Sequence, residues 1–404
     1  MAQPTSNHVE AASSRTLDAI ALEKLAAIRA RGTHRKMRVL EGVQAPRMRV
    51  DGHEVLLFAG SNYLDLASHP EVVEASARAA RDWGCAAGGS RLINGNLKLH
   101  EVLEEQLAEF LGAPAALAFS TGYMANVGVI PALVGEGDVV VSDALSHASI
   151  IDACRLTKAD VRVFAHGDVD ALEDLLRKVS STHRNLLLAL DGVYSMDGDS
   201  APLAEIVPLA KRYGAVVLLD DAHGTGALGA NGRGTGELCG VESDIDIHIG
   251  TLGKSLGSFG AFVAGSHPLR ELLLNRARSF IFSCALAPPA VAAAAAALRL
   301  LRTEPWRRER LQSNAALLRG CLSNHGISTA PSTTQIIPVV IGDNSRTMAV
   351  CERLLARGFY AQGIRHPSVP VGAARLRLTP MATHRAREIE ALADAIAEEL
   401  AVTP

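Results

Sequence analysis

The sequence has no Cys-x-x-Cys pair, no apolar stretch long enough for a membrane, and no excess of either charge. Its six cysteines, Cys85, Cys154, Cys239, Cys284, Cys321 and Cys351, are widely scattered. That scatter argues against a disulfide frame or a metal site, and for reduced thiols in a cytoplasmic setting. A formal net charge of −3 over 404 residues removes the electrostatic reason to expect nucleic acid or an anionic membrane as partner. The first residues are polar, so no secretory signal is expected. The alanine-rich run 290–297 follows Pro288 and Pro289 and is too short to cross a bilayer. It reads as a packed helix, and no transmembrane segment is expected. No internal repeat or long disordered linker is apparent.

What is present suits a globular chain with room for one large and one small domain, at 48% hydrophobic and 21% charged residues. Residues 1 to about 16 read as a disordered, Ser-rich arm. A helix over 17–30, a basic connector at 32–38 and a hairpin over 50–58 follow. Further helices are expected from Pro70 to Gly84 and from Leu99 to Gly112, where glycine ends the apolar periodicity. From Ala115 the pattern becomes strand, loop, helix, repeated. Strands are expected over 115–119, 139–141, 161–164, 186–190, 215–219, 245–249 and 261–263. Most are continuous apolar runs, as in a largely parallel sheet buried on both faces. Alternation of this kind predicts a doubly wound α/β domain. After about residue 300, strands over 335–341 and 375–379 and helices over 345–357 and 383–400 predict a small α+β domain, joined in space by the N-terminal helix. The expected division is 1–58, arm, helix and hairpin; 59–298, cofactor-binding domain; and 299–404, small domain.

The chemistry gathers around Gly250-Thr251-Leu252-Gly253-Lys254-Ser255-Leu256-Gly257, a lysine in a glycine-rich turn after a strand. Upstream, 215–219 runs into Asp220-Asp221-Ala222-His223. In open parallel sheets ligands bind at the C-terminal strand ends. A lysine, an acid and a histidine arriving there suit a carbonyl cofactor: the lysine for a Schiff base, the acid for a ring nitrogen, the histidine for a phenolate. This points to pyridoxal 5'-phosphate held by Lys254. Two rival motifs fail. Gly253-Lys254-Ser255 ends like a phosphate-binding P-loop, but His248 stands where that pattern needs glycine. Gly224, Gly226 and Gly229 match a dinucleotide fingerprint in letters, yet a flexible Ala-Asn-Gly-Arg-Gly loop follows instead of a helix. Ser120-Thr121-Gly122-Tyr123 suits a phosphate at a helix N-terminus, and His147 could stack on a planar ring.

The segments S-H-A-S-I-I-D (146–152), G-V-Y-S-M-D-G-D-S-A-P-L (192–203), D-D-A-H-G-T-G (220–226), G-T-L-G-K-S-L-G (250–257) and P-S-V-P-V-G-A-A-R-L-R-L-T (367–379) together resemble the α-oxoamine synthases. These are pyridoxal-phosphate enzymes of fold type I, and the likeness runs over nearly the whole chain from about residue 17. The resemblance implies that Lys254 carries the cofactor and takes the α-proton, and that Asp220 pairs with the pyridine nitrogen. It implies that His223 and Ser195 bond the ring oxygen and that His147 stacks on the ring. Gly122, Tyr123 and Thr251, with Ser283 from a segment reaching the neighbouring subunit, would hold the phosphate. Arg377 would bind the amino-acid carboxylate, and Arg35, Asn62 and Ser368 would line the substrate region. The implied reaction is a decarboxylative condensation of an amino acid with an acyl thioester of coenzyme A or a carrier protein, in a homodimer with its active site at the interface. L-Alanine with a pimeloyl thioester, as in biotin synthesis, is expected first; L-serine with palmitoyl-CoA, or glycine with an acetyl donor, are the alternatives. Asp65, where the family has glycine, Ser61, and Ser368, where threonine is usual, leave the acyl donor open.

Overall fold

Strands made of Val, Leu, Ile and Ala cannot leave either face in water, and the fold covers both. The computed structural model describes residues 16–402, so the expected arm lies almost wholly outside the described residues. The large sheet has seven strands in the spatial order Ala115–Phe119, Ala261–Gly265, Ile247–Thr251, Val216–Asp220, Leu186–Asp191, Val139–Asp143 and Asp160–Phe164. The last five are mutually parallel. Ala261–Gly265 runs antiparallel to both of its neighbours. The inner strand Leu186–Asp191 is buried at every position, whereas the edge strand Asp160–Phe164 exposes Val161, Arg162 and Val163.

Alternate side chains divide between two layers. Val140, Ala189, Leu218 and Ile249 face a core shared with helix Gly122–Leu133. Val139, Val141, Leu188, Leu190 and Leu219 face the opposite core, shared with helices Val169–Val179 and Leu203–Arg212. At roughly 1.5–3 kcal/mol for each fully buried large aliphatic side chain, these layers dominate the stability of the α/β domain.

The alanine-rich run forms part of the long helix Pro288–Thr303, packed on helix Pro70–Trp83. Beyond it, helix Trp306–Asn324 crosses into the small domain. There Ile337–Gly342, Ala374–Leu378 and Gln362–Ile364 form an antiparallel sheet. Helices Asn344–Ala356 and Ala386–Ala401 complete its core. Among the described residues, no helix is long and apolar enough to cross a membrane.

Three sequence expectations shift. The N-terminal helix Leu17–Ala30 does not join the small domain through a core: none of its residues is buried. The hairpin of Arg47–Val50 and His53–Leu57 does so instead, pairing with Phe359–Tyr360 and placing Leu56 and Phe58 in the small-domain core. The strand expected at 245–249 lies at Ile247–Thr251. A 3₁₀ turn at Glu242–Asp244 precedes it, and Asp246 accepts from the amide of Val217. That slip makes Thr251 the last strand residue. The final helix starts at Ala386, because the His384 ring accepts from the amide of Met381 and Glu388 from that of Arg385.

A buried ion pair anchors the loop that precedes helix Lys98–Leu111. Arg91 donates to both oxygens of Glu104, at 2.6 and 3.2 Å, and Arg270 and the amide of Ala118 donate to the same carboxylate. Removing one partner of such a pair strands the other charges. Glu104→Gln is expected to cost about 3–5 kcal/mol and lower the urea midpoint. Arg302→Ala, at the exposed Arg302–Glu109 pair, should leave that midpoint almost unchanged.

Candidate active site

Four strands of the large sheet end on polar residues: Asp143, Asp191, Asp220 and Thr251. The parallel arrangement sets Asp191 directly beside Asp220. Lys254 follows in a turn closed by the Gly257 amide on the Lys254 carbonyl. Gly257 has φ +55°, and a Cβ there would lie 2.3 Å from the amide nitrogen of Ala67. Only glycine lets the segment 62–67 pack so closely on the lysine turn.

The Lys254 amine stands 2.9 Å from His223 Nε2. His223 Nδ1 in turn stands 2.7 Å from the hydroxyl of Tyr63, toward which Arg377 donates at 3.4 Å. Withdrawal from water, with the Arg377 charge acting the same way against the pull of Asp220, brings Lys254 down to a pKa of about 8. Burial holds His223 well below the usual imidazole range, and the cations Lys254 and Arg377 add to this. His223 is therefore neutral near pH 7.

Asp220 is fixed by two donors, the Asn126 amide at 2.6 Å and the backbone of Ala222 at 3.1 Å. Asn126 also donates to Ser149 Oγ at 2.9 Å, which leaves the serine hydrogen for His147 Nδ1 at 2.7 Å. His147 caps helix Ala148–Leu156 through that same nitrogen, and its backbone donates to Asp191. Burial lowers the pKa of His147 and raises that of Asp191 well above the carboxylate range, the Asp220 charge reinforcing the rise. Asp221, fully buried and bonded by the amide and hydroxyl of Thr235, is pushed up to about 7 by burial.

The small domain contributes from a strand with period two. Arg375 and Arg377 alternate along Ala374–Leu378, one side of which faces the loop 195–197. Arg377 Nε donates to the Ser195 carbonyl at 2.5 Å, and Arg375 pairs with Asp197. Lys254, His223, Arg377 and Ser195 are thus brought together, while Asp220 and His147, joined to each other through Asn126 and Ser149, act on Lys254 through their charges. Gly122 and Tyr123 open helix Gly122–Leu133, capped by Thr121. As its first two residues, they have backbone amides without intrahelical acceptors.

Other expected residues are placed differently. Asn62 is committed to local structure: its amide donates to the Gln44 carbonyl and Asp65, and its oxygen accepts from Leu66 and Ala67. The Thr251 hydroxyl donates to the Gly260 carbonyl, and that of Ser283 to the Ser279 carbonyl. Arg35 and Ser368 line a separate cleft of about 940 Å³ together with Arg365 and His366. The unusual Asp65 takes φ +55° and binds the Thr383 hydroxyl at 2.7 Å, away from Lys254. Sequence reading missed Tyr63 and Asn126. Only Asn126 carried a signal, its helical spacing from Gly122.

These groups fit pyridoxal phosphate. They offer an amine of depressed pKa for a carbonyl, a fixed carboxylate for a ring nitrogen, neutral imidazoles, and a helix N-terminus ready for a phosphate. Reductive trapping tests the amine: apoprotein mixed with pyridoxal phosphate and borohydride should gain label at Lys254, with a rate rising through a midpoint near pH 8. Lys254→Ala should gain none there.

The aminotransferase class I and II family model matches residues 53–396. The 8-amino-7-oxononanoate synthase of Geobacter metallireducens is 50% identical over 91% of this chain and 94% of its own. A serine palmitoyltransferase of Sphingomonas wittichii superposes with a TM-score of 0.88 at 35% identity, over 95% of this chain and 96% of that one. Another serine palmitoyltransferase, solved with pyridoxal phosphate, superposes with a TM-score of 0.89 at 36% identity, over 95% and 98%. On this footing the chain belongs to the class I and II aminotransferase family and, within it, to the α-oxoamine synthases, pyridoxal-phosphate enzymes of fold type I.

Proposed function

We propose that this enzyme joins L-alanine to a pimeloyl thioester, releasing carbon dioxide and the carrier thiol, to give 8-amino-7-oxononanoate for biotin synthesis. The reading rests on one observation: a buried lysine amine 2.9 Å from His223 Nε2, on a hydrogen-bonded chain that runs through Tyr63 to the Arg377 guanidinium. The near 50% identity to synthases of that name supports the choice of substrates. Bound at this site, pyridoxal phosphate supplies an electron sink for the bonds at the amino-acid α-carbon.

Each residue then has a bounded task. Asp220, steadied by Asn126, would hold a proton on the ring nitrogen, His147 would stack on the ring, and His223 and Ser195 would bond its oxygen side. The amides of Gly122 and Tyr123, with the hydroxyls of Thr251 and Ser283, would hold the phosphate. Arg377 clamps the alanine carboxylate, a bidentate task suited to a planar guanidinium. Lys254, as free base, removes the alanine α-proton. The α-carbon bonds to the acyl carbon as the thioester C–S bond breaks and the thiolate leaves, to take a proton from solvent; the carboxylate then departs as carbon dioxide, and the α-carbon takes back a proton from Lys254. Arg35 and Ser368, in their cleft, line the path of the acyl donor.

In the same reading, residues 59–298 form the cofactor-binding unit and 299–404 the unit that brings Arg377. The enzyme works as a cytoplasmic homodimer, with its active site completed at the subunit interface. Exposed Phe259 and Phe282, at 57% and 70% of their free area, support such a face, since one follows the Lys254 turn and the other precedes Ser283.

Two measurements test these assignments. Asp220→Asn should bind cofactor yet lose at least about a hundredfold in turnover, the scale of removing a catalytic charge; a variant within a few-fold of wild type would place the ring elsewhere. Arg377→Ala should weaken alanine binding by roughly tenfold to a thousandfold. The KM for pimeloyl thioester should hardly move, and Arg377→Lys should restore little. Titrating alanine against the cofactor absorbance, with serine and glycine in parallel, reads this step and the amino-acid choice together.

A further inference from the structure

We propose that Tyr63 is a positioning residue that fixes the tautomer of His223 and so keeps an N–H donor, not a lone pair, facing Lys254. The argument follows the hydrogens. A guanidinium can only donate, so Arg377 Nη2, 3.4 Å from the Tyr63 hydroxyl, uses that oxygen as its acceptor. Tyr63 has one hydrogen to give, and its other partner is His223 Nδ1 at 2.7 Å. Nδ1 therefore accepts. A neutral imidazole carries a single N–H, which then sits on Nε2, 2.9 Å from the Lys254 amine. A donor in that place bonds the lone pair of a neutral amine and opposes an ammonium.

Tyr63 is built to hold this direction. It is 1% exposed, and its carbonyl accepts from the amide of Ala382 at 2.8 Å. Its segment is pressed onto the lysine turn at Gly257. On its far side, His223 is held by its carbonyl, which accepts from Gln335 at 2.8 Å. The surrounding charges do not select a tautomer. Asp220, Asp191 and Asp221 favour an ammonium at Lys254, Arg377 disfavours it, and His147 acts only against a cationic His223. Tyr63 decides where the hydrogen goes. The inference rests on Lys254 being the carbonyl-reactive lysine, and is independent of which amino acid Arg377 binds.

The test uses the apoprotein and the rate at which it takes up pyridoxal phosphate as pH is varied. Tyr63→Phe removes one oxygen. His223 is then free to place its hydrogen on Nδ1 and to accept from a Lys254 ammonium, which stabilises the protonated amine. The uptake midpoint should rise by about half to one pH unit, the equivalent of one ordinary hydrogen bond, with the thermal midpoint confirming the fold. In a His223→Asn background the same change should add nothing. An unchanged midpoint in Tyr63→Phe, or an equal shift without His223, overturns the proposal. A readout that needs no Tyr63 variant is nitrogen-15 spectroscopy of histidine-labelled apoprotein, with His223 assigned by its loss in His223→Asn. Nε2 should be protonated and Nδ1 bare, and the reverse pattern also overturns it. If Lys254 were not the reactive amine, Lys254→Ala would still take up cofactor with the wild-type pH dependence, a result separable from any of these.

Discussion

A primary amine in water is protonated at neutral pH, and a protonated amine neither attacks a carbonyl nor removes a proton. Nearly everything around Lys254 bears on that constraint. Packing withdraws the amine from water, and Arg377 adds a like charge from the small domain. The carboxylates of Asp220 and Asp191 pull the other way. Desolvation wins by a margin that leaves the amine near half-deprotonated at about pH 8. With the carboxylates absent the charged form would be suppressed further; with the arginine absent it would be favoured.

Holding so many polar groups out of water is costly unless each is bonded. The site meets much of this with separate short chains of hydrogen bonds. Asn126 links Asp220 to Ser149, Ser149 links on to His147, and Thr235 takes both oxygens of Asp221. Elements far apart in the chain thereby depend on one another. A change at Asn126 reaches both the acid that would serve the ring nitrogen and the histidine that would stack on the ring.

The small domain enters the site through a single strand. Arg375 and Arg377, two residues apart, both engage the loop 195–197, so the guanidinium facing Lys254 and the loop bearing Ser195 are held in one register. The hairpin at 47–57 completes the core beneath that strand. Asp65 is held locally: its carboxylate accepts from Thr383 of the small domain, a contact that supports its φ of +55°.

Much of this was written in the order of residues. Apolar runs such as Leu186–Asp191 and Val216–Asp220 can lie only inside a sheet covered on both faces, so the α/β class and the strand end bearing Asp220 follow from local composition. Helix ends at Gly84 and Gly112 were equally local, because capping is settled within one turn. What depended on contacts between distant segments was not legible. The hairpin, not the N-terminal helix, completes the small domain, since that choice turns on which apolar faces meet. Asn62 is a local brace and Tyr63 a neighbour of His223, although the two adjoin in sequence. Their opposite directions are set by the turn that packs on Gly257. Sequence could nominate Lys254, His223 and Arg377 by chemistry; only the tertiary structure, by bringing segments some 30 to 300 residues apart within hydrogen-bond reach, decided which atom faces which and where each hydrogen can go.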